Sequence, residues 1–175
     1  VSGGENVRPV RAELALLDLY DEALPQVYGY LLARCGRVSL AEELTAETLL
    51  AAVTACRRVP PPVPSTAWLV GIARHKLVDH WRAAEREHRG LAAVAQEPGA
   101  DDDPWENRID ALVARDVLAQ LDSLHRAALT LRYLDGLGVG EVARLLRRTV
   151  PATESLLARS RAAFRREYRR IGGLA

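Results

Sequence analysis

Methionine is absent from this 175-residue sequence, phenylalanine occurs once, and Lys76 is the single lysine among 24 basic residues, so 24 − 1 = 23 are arginine. The abundance of Ala, Leu, Val and Arg with so little lysine is the usage of a GC-rich coding sequence. Arginine also suits bidentate contacts to phosphates and base edges, although composition alone does not prove that use. Cysteine is limited to Cys35 and Cys56. Two cysteines do not make a disulfide framework, and neither stands at a metal-ligand spacing, so both read as small buried hydrophobes. No apolar run reaches the roughly 18 residues of a membrane span. Val1–Arg11 has no apolar segment of the kind a secretory signal carries. These absences predict a cytoplasmic protein with no membrane insertion. Hydrophobic residues at 49% and charged residues at 27% fit a globular chain with enough apolar surface for a core.

No stretch alternates with the period of a strand, whereas several carry a helical period, so the predicted class is all-α. After a loose tail, Val1–Pro9, a helix is expected over Glu13–Arg34. Its apolar stripe is Leu14, Leu17, Leu24, Val27, Tyr28, Leu31 and Leu32; Pro25 kinks or splits it, and Gly36 ends it. Ser39, three residues before Glu42, has capping-box spacing for a second helix reaching about Arg57. Four prolines in Val59–Pro64 exclude helix there, and Ser65 or Thr66 caps a third helix running to about His88. Gly90–Asn107 is small, acidic and broken by Pro98, Gly99 and Pro104, the composition of a tether. Four more helices are predicted, at about Ile109–Leu121, Ser123–Leu134, Val139–Leu146 and Pro151–Arg170. The expected organisation is two small helical domains, 10–89 and 109–171, joined by a flexible acidic linker, 90–108.

A net charge of +1 hides a division. Glu97, Asp101, Asp102, Asp103, Glu106 and Asp110 crowd the connector against Arg108 alone, while Glu141–Ile171 holds nine arginines and three acids, 9 − 3 = +6. A basic end behind an acidic connector points to nucleic acid at that end. Within it, V-G-E-V-A-R-L-L, the turn R-R-T-V and a long helix opening on Pro151 have the layout of a helix-turn-helix. At 100° per residue Thr153, Leu156, Leu157, Ser160, Ala163 and Phe164 share an inward arc. Glu154, Ser155, Ala158, Arg159, Arg161, Ala162, Arg165 and Arg166 share the outward one. Small residues let a helix approach the groove floor, and arginines reach phosphates or guanine edges.

Three further stretches carry a family resemblance. A-E-E-L-T-A-E-T-L-L-A-A (Ala41–Ala52) resembles the polymerase-binding helix of the extracytoplasmic-function sigma factors of bacterial RNA polymerase. A-W-L-V-G-I-A-R-H-K-L-V-D-H-W-R (Ala67–Arg82) is similar to their promoter-melting helix. L-D-S-L-H-R-A-A-L-T-L-R-Y-L-D-G-L (Leu121–Leu137) resembles the helix before their helix-turn-helix. The resemblance covers roughly Leu17–Arg89 and Ile109–Arg170. It implies that Glu42, Glu43, Leu44, Glu47, Thr48 and Leu49 dock on the clamp helices of the polymerase's largest subunit. Arg74, His75, Lys76, Asp79, His80 and Arg82 would handle the minus-10 element as non-template single strand. Arg147, Arg148, Thr149, Glu154, Ser155, Ala158, Arg159, Arg161 and Arg165 would read the minus-35 element as duplex. The Pro-rich loop Pro60–Thr66 stands where the family captures a flipped base. Trp68 and Trp81 have two readings, base stacking or core. The family also implies an anti-sigma factor as partner; with no nucleophile motif, phosphate loop or metal-ligand cysteine spacing in the sequence, no cofactor, metal or catalysis is expected.

The chain departs from the family's pattern where Glu154 replaces a usual lysine, Leu156 a usual arginine, Arg147 a turn glycine and His75 a frequent asparagine. Glu154 repels phosphate but can accept from cytosine N4, so the minus-35 preference is not transferable. Two other readings compete. His75 and Asp79, at i and i+4, could share a metal in an enzyme, although no nucleophile motif or phosphate loop accompanies them. A helix-turn-helix regulator that is not a polymerase subunit would bind specific DNA alone.

Overall fold

The computed structural model describes residues 7–89 and 111–172. Of the expected tail Val1–Pro9, residues 1–6 lie outside the described residues, and Val7–Pro9 are corrected to helix, because α1 begins at Val7 rather than Glu13. The acidic linker, with its cluster from Glu97 to Asp110, also lies outside the described residues. Among the described residues seven α-helices succeed one another: α1 Val7–Cys35, α2 Val38–Cys56, α3 Thr66–Arg89, α4 Ala111–Gln120, α5 Ser123–Leu129, α6 Val139–Leu146 and α7 Val150–Gly172. A π-helical turn, Thr130–Leu134, extends α5, and there is no strand among the described residues. The class is all-α. The chain divides into two compact units, Val1–Leu77 and Val78–Ala175, a division that α3 crosses without a break.

In the first unit α1 and α2 pack on each other. Pro25 neither splits nor ends α1. Proline in a helix interior costs about 3 kcal/mol or more, and here its ring faces solvent while Ala23, Val27 and Leu31 on either side are fully buried. Burial of that face offsets the lost hydrogen bond. The expected stripe is corrected toward the N-terminus: Leu14 and Leu17 are exposed, and Ala12, Leu16 and Ala23 face inward. The helical period alone favours the large side chains, whereas the helix turns two alanines inward, and small residues permit close approach of neighbouring backbones.

Gly36 ends α1 as expected: its φ of 68° is the left-handed conformation that closes helices, and its N–H donates to Leu32 O at 2.9 Å. This sharp reversal moves the next helix start earlier than Ser39. Arg37 is the N-cap, extended at φ −126° and ψ 123°, with no side-chain cap, and its carbonyl accepts from Ala41 N at 3.0 Å. Ser39 lies inside α2, so it caps nothing. On α2 the buried line is Leu40, Ala41, Leu44, Thr45, Thr48, Ala52 and Cys56. Thr45 and Thr48 satisfy their buried hydroxyls by donating to Ala41 O at 2.6 Å and Leu44 O at 2.7 Å. Cys35 and Cys56 are buried free thiols. Burial raises the Cys56 pKa above its ordinary value, and the Glu13 carboxylate pushes the same way; a protonated thiol is a small hydrophobe.

Ser65 caps α3 by accepting from Trp68 N at 3.2 Å. Along α3, Leu69, Ala73, Leu77, Val78 and Trp81 are buried. In the second unit α4, α5 and α6 all pack on α7, and Leu121, Leu129 and Ala163 form a core cluster with Leu118 and Phe164 against it.

Candidate nucleic-acid interface

The C-terminal helices are held by polar clamps at their ends. Asp122 caps α5, its Oδ1 accepting from His125 N at 2.8 Å, while His125 Nδ1 lies 2.7 Å from Oδ2. Burial alone would raise the Asp122 pKa. The side-chain and backbone hydrogen bonds of His125, and its charge, together outweigh burial and hold the carboxyl below its usual value. Arg126 donates to Leu118 O at 2.7 Å and Leu121 O at 3.2 Å, and also to Ala119 O, tying down the orphan carbonyls at the end of α4. The expected single helix Ser123–Leu134 is corrected at Thr130, where the π turn begins.

Helix α6 covers Val139–Leu146, the bounds expected. Gly138 has no side chain, so only the returning half of a capping box exists: Gly138 N donates to Glu141 Oε2 at 3.0 Å. The turn after α6 is closed by Arg147 at φ 53° and ψ 49°, a left-handed conformation on a residue with a Cβ. Arg148 N reaches back to Ala143 O at 2.9 Å, the long bond of a Schellman closure. Thr149 then starts α7, its Oγ1 accepting from Ala152 N at 3.3 Å and its carbonyl from Thr153 N at 3.0 Å. The turn residue that would ordinarily be glycine is thus a cation held at the mouth of the helix-turn-helix.

The two arcs of α7 are disposed as the wheel places them. Thr153, Leu156, Leu157, Ser160 and Ala163 are buried and Phe164 is half-buried. Ser160 and Thr153 spend their hydroxyls on Leu156 O at 2.7 Å and Thr149 O at 2.9 Å. Glu154, Ser155 and Arg166 are exposed; Ala158, Arg159, Arg161, Ala162 and Arg165 are half-buried. Arg147 and Thr149 are exposed and Arg148 half-buried in the turn. Arg159 Nε donates to Ser155 O at 3.4 Å, and Arg161 Nη1 donates to the hydroxyl of Tyr133 at 3.3 Å. Tyr133 is a neighbour that a helical wheel does not supply, because the π turn shifts the register of the helix carrying it.

On α3, His75 and Asp79 are exposed and Arg74, Lys76, His80 and Arg82 half-buried. Arg82 Nη1 pairs with Asp79 Oδ1 at 2.9 Å, and Lys76 Nζ pairs with Glu47 Oε2 of α2 at 3.1 Å. One member of the polymerase set and one of the minus-10 set therefore meet in an ion pair. Trp81 is buried, which gives it to the core, and Trp68 is half-buried.

On α2, Glu42 and Glu43 are exposed and Glu47 and Leu49 half-buried. Leu44 and Thr48 are corrected: they point inward, with Leu40, along a four-residue repeat, at 3% and 0% exposure. They orient the helix and leave its carboxylates to face outward.

Residues 19–87 match the family model of sigma-70 region 2, and residues 112–164 match that of sigma-70 region 4. The sequence is 31% identical over 138 residues to the ECF RNA polymerase sigma factor SigL of Mycobacterium tuberculosis, covering 75% of this chain and 77% of SigL. The chain belongs to the extracytoplasmic-function sigma factors. It is also 32% identical over 151 residues to the ECF RNA polymerase sigma factor BldN of Streptomyces coelicolor, covering 81% of this chain but only 56% of BldN. The sigma factor RpoE, solved in complex with the anti-sigma factor NepR from Bartonella quintana, superposes with a TM-score of 0.52 at 20% identity, covering 87% of this chain and 95% of RpoE. At that identity the likeness is one of fold. In this sigma factor the region 2 match runs from α1 into α3, and the region 4 match from α4 into α7. Sigma factors are regulatory initiation factors of RNA polymerase. Because both halves match sigma regions, a regulator that is not a polymerase subunit is not favoured. Among the described residues no helix is long and apolar enough to cross a membrane.

Proposed function

We propose that this sigma factor binds core RNA polymerase and directs it to promoters, with its three charged helices dividing the work. The outward carboxylates Glu42 and Glu43 of α2, with Glu47 and Leu49, meet the clamp helices of the largest subunit. The face of α3 with Arg74, His75, Lys76, Asp79, His80 and Arg82 takes the minus-10 non-template strand, where cations follow the backbone of unstacked DNA. Helix α7 and its turn read the minus-35 duplex: Arg147, Arg148 and Thr149 meet phosphates, and Glu154, Ser155, Ala158, Arg159, Arg161 and Arg165 face the groove. The functional boundaries are 10–89, 90–108 and 109–171. The protein acts without catalysis of its own, in the cytoplasm, under the control of an anti-sigma factor.

The observation that carries this reading is the division of α7 into a buried, mostly apolar arc and an outward arc of arginines, small residues and Glu154. The test is assembly with core polymerase, followed by run-off transcription on genomic fragments. A holoenzyme with discrete start sites is expected. A protein that binds DNA specifically alone and does not assemble with core enzyme would overturn the reading.

A further inference from the structure

We infer that Tyr133 is a positioning residue for Arg161, and so belongs to the duplex-reading apparatus although it lies outside the helix-turn-helix. The inference rests on α7 being the minus-35 reader. Tyr133 sits in the π turn Thr130–Leu134 and is 56% exposed, so its ring and hydroxyl lie at the surface beside α7. Its hydroxyl accepts from Arg161 Nη1 at 3.3 Å, across 28 residues of sequence. The turn that presents it is fixed by three bonds: Asp135 N to Thr130 O at 3.0 Å, Leu137 N to Leu131 O at 3.1 Å, and Arg132 Nη1 to Leu137 O at 2.9 Å. A π turn takes one residue more than an α turn, so the side chains of this segment depart from the register set by α5.

The chemistry of the pair suits an arginine that must stay charged. A free arginine side chain carries much rotamer entropy, which is lost when it is ordered on DNA. Anchoring one N–H in advance reduces that loss. A carboxylate would anchor as well but would cancel the charge; the neutral phenol leaves it whole. The guanidinium has five N–H donors, so one bond to Tyr133 leaves the others for phosphate oxygens or the guanine edge. The phenol proton is itself free to be donated onward, because in this contact its oxygen accepts.

The test is a double-mutant cycle on the holoenzyme, reading equilibrium binding to a duplex promoter for the wild type, Tyr133→Phe, Arg161→Ala and the pair together. Tyr133→Phe keeps the ring and removes the oxygen, and thermal unfolding of each variant checks that the fold is unchanged. The expected result is that Tyr133→Phe weakens binding about two- to fivefold when Arg161 is present and has no further effect when it is absent. An unchanged affinity for Tyr133→Phe overturns the inference. So does an equal loss in both backgrounds, which would make the tyrosine act on DNA or on the fold by itself. If Arg161→Ala alone leaves binding unchanged, the assignment of that face of α7 fails, and the positioning role fails with it.

Discussion

Helices α3 and α7 are of similar length, 24 and 23 residues, and both turn cations outward, but they hold those cations in opposite ways. On α3, Lys76 and Arg82 are paired with the carboxylates Glu47 and Asp79. On the outward arc of α7, Arg159 and Arg161 lean on a backbone carbonyl and a phenol. A carboxylate fixes a cation and cancels its field; a neutral oxygen fixes it and leaves the field intact. Duplex DNA is drawn by that field from a distance. In the proposed roles, α7 is charged before DNA arrives, whereas a strand docking on α3 must first displace acids. At its C-terminal end α7 changes character, with Arg170 paired to Glu167 at 2.7 Å, so the contrast belongs to the part of α7 that precedes Glu167.

The change that breaks this contrast most severely is Leu156→Arg, which places a cation on the buried arc of α7. Leu156 is 1% exposed, so an unpaired guanidinium would enter the core at a cost of more than about 3 kcal/mol. Urea unfolding should show the loss; a stable variant would mean that α7 is rotated from the arcs assigned to it. Next, Arg159→Ala should weaken promoter binding by about tenfold and lower the salt slope by about 1, with unfolding unchanged. Unchanged promoter use would remove Arg159 from the interface.

Smaller effects test the supports. Asp122→Ala removes the cap of α5, one of the helices packed on α7, and should cost about 1 kcal/mol at neutral pH. Because the folded pKa of Asp122 lies below its ordinary value of 3.8, its contribution is present above that value and is lost as pH falls through the lower folded one. Acid unfolding of the alanine variant should lack that component. Least of all, Asp79→Asn frees Arg82 and should raise affinity for a single-stranded minus-10 oligonucleotide by about two- to threefold, in keeping with the modest worth of an exposed pair. A fall in affinity would show Asp79 contacting the strand itself.

Most helices, and the faces of α7, were legible because a 100° period and Gly or Pro punctuation act locally. The expected α6 agrees with the structure to the residue. Where the reading failed, the deciding interaction was tertiary or carried no punctuation. Ser39 has good capping chemistry, but Gly36 reverses the chain so tightly that α2 has begun by Val38. Leu44 and Thr48 belong to a motif that names a stretch, and a motif does not say which side of a helix faces in. The π turn at Thr130 inserts its extra residue without glycine or proline, so the position of Tyr133 beside Arg161 left no mark on the pattern. Leu14 and Leu17 looked like core because they are large, whereas α1 turns Ala12 and Ala23 inward.

The pairing of Lys76 with Glu47 has a practical consequence. Lys76 is the sole lysine of the sequence, so among side chains an amine-selective reagent has one target, and that target sits in the ion pair joining α2 to α3. Its labelling rate reports whether that bridge is closed or open. The same measurement, made with and without core polymerase, becomes a single-site chemical gauge of how the two helices are joined at each step.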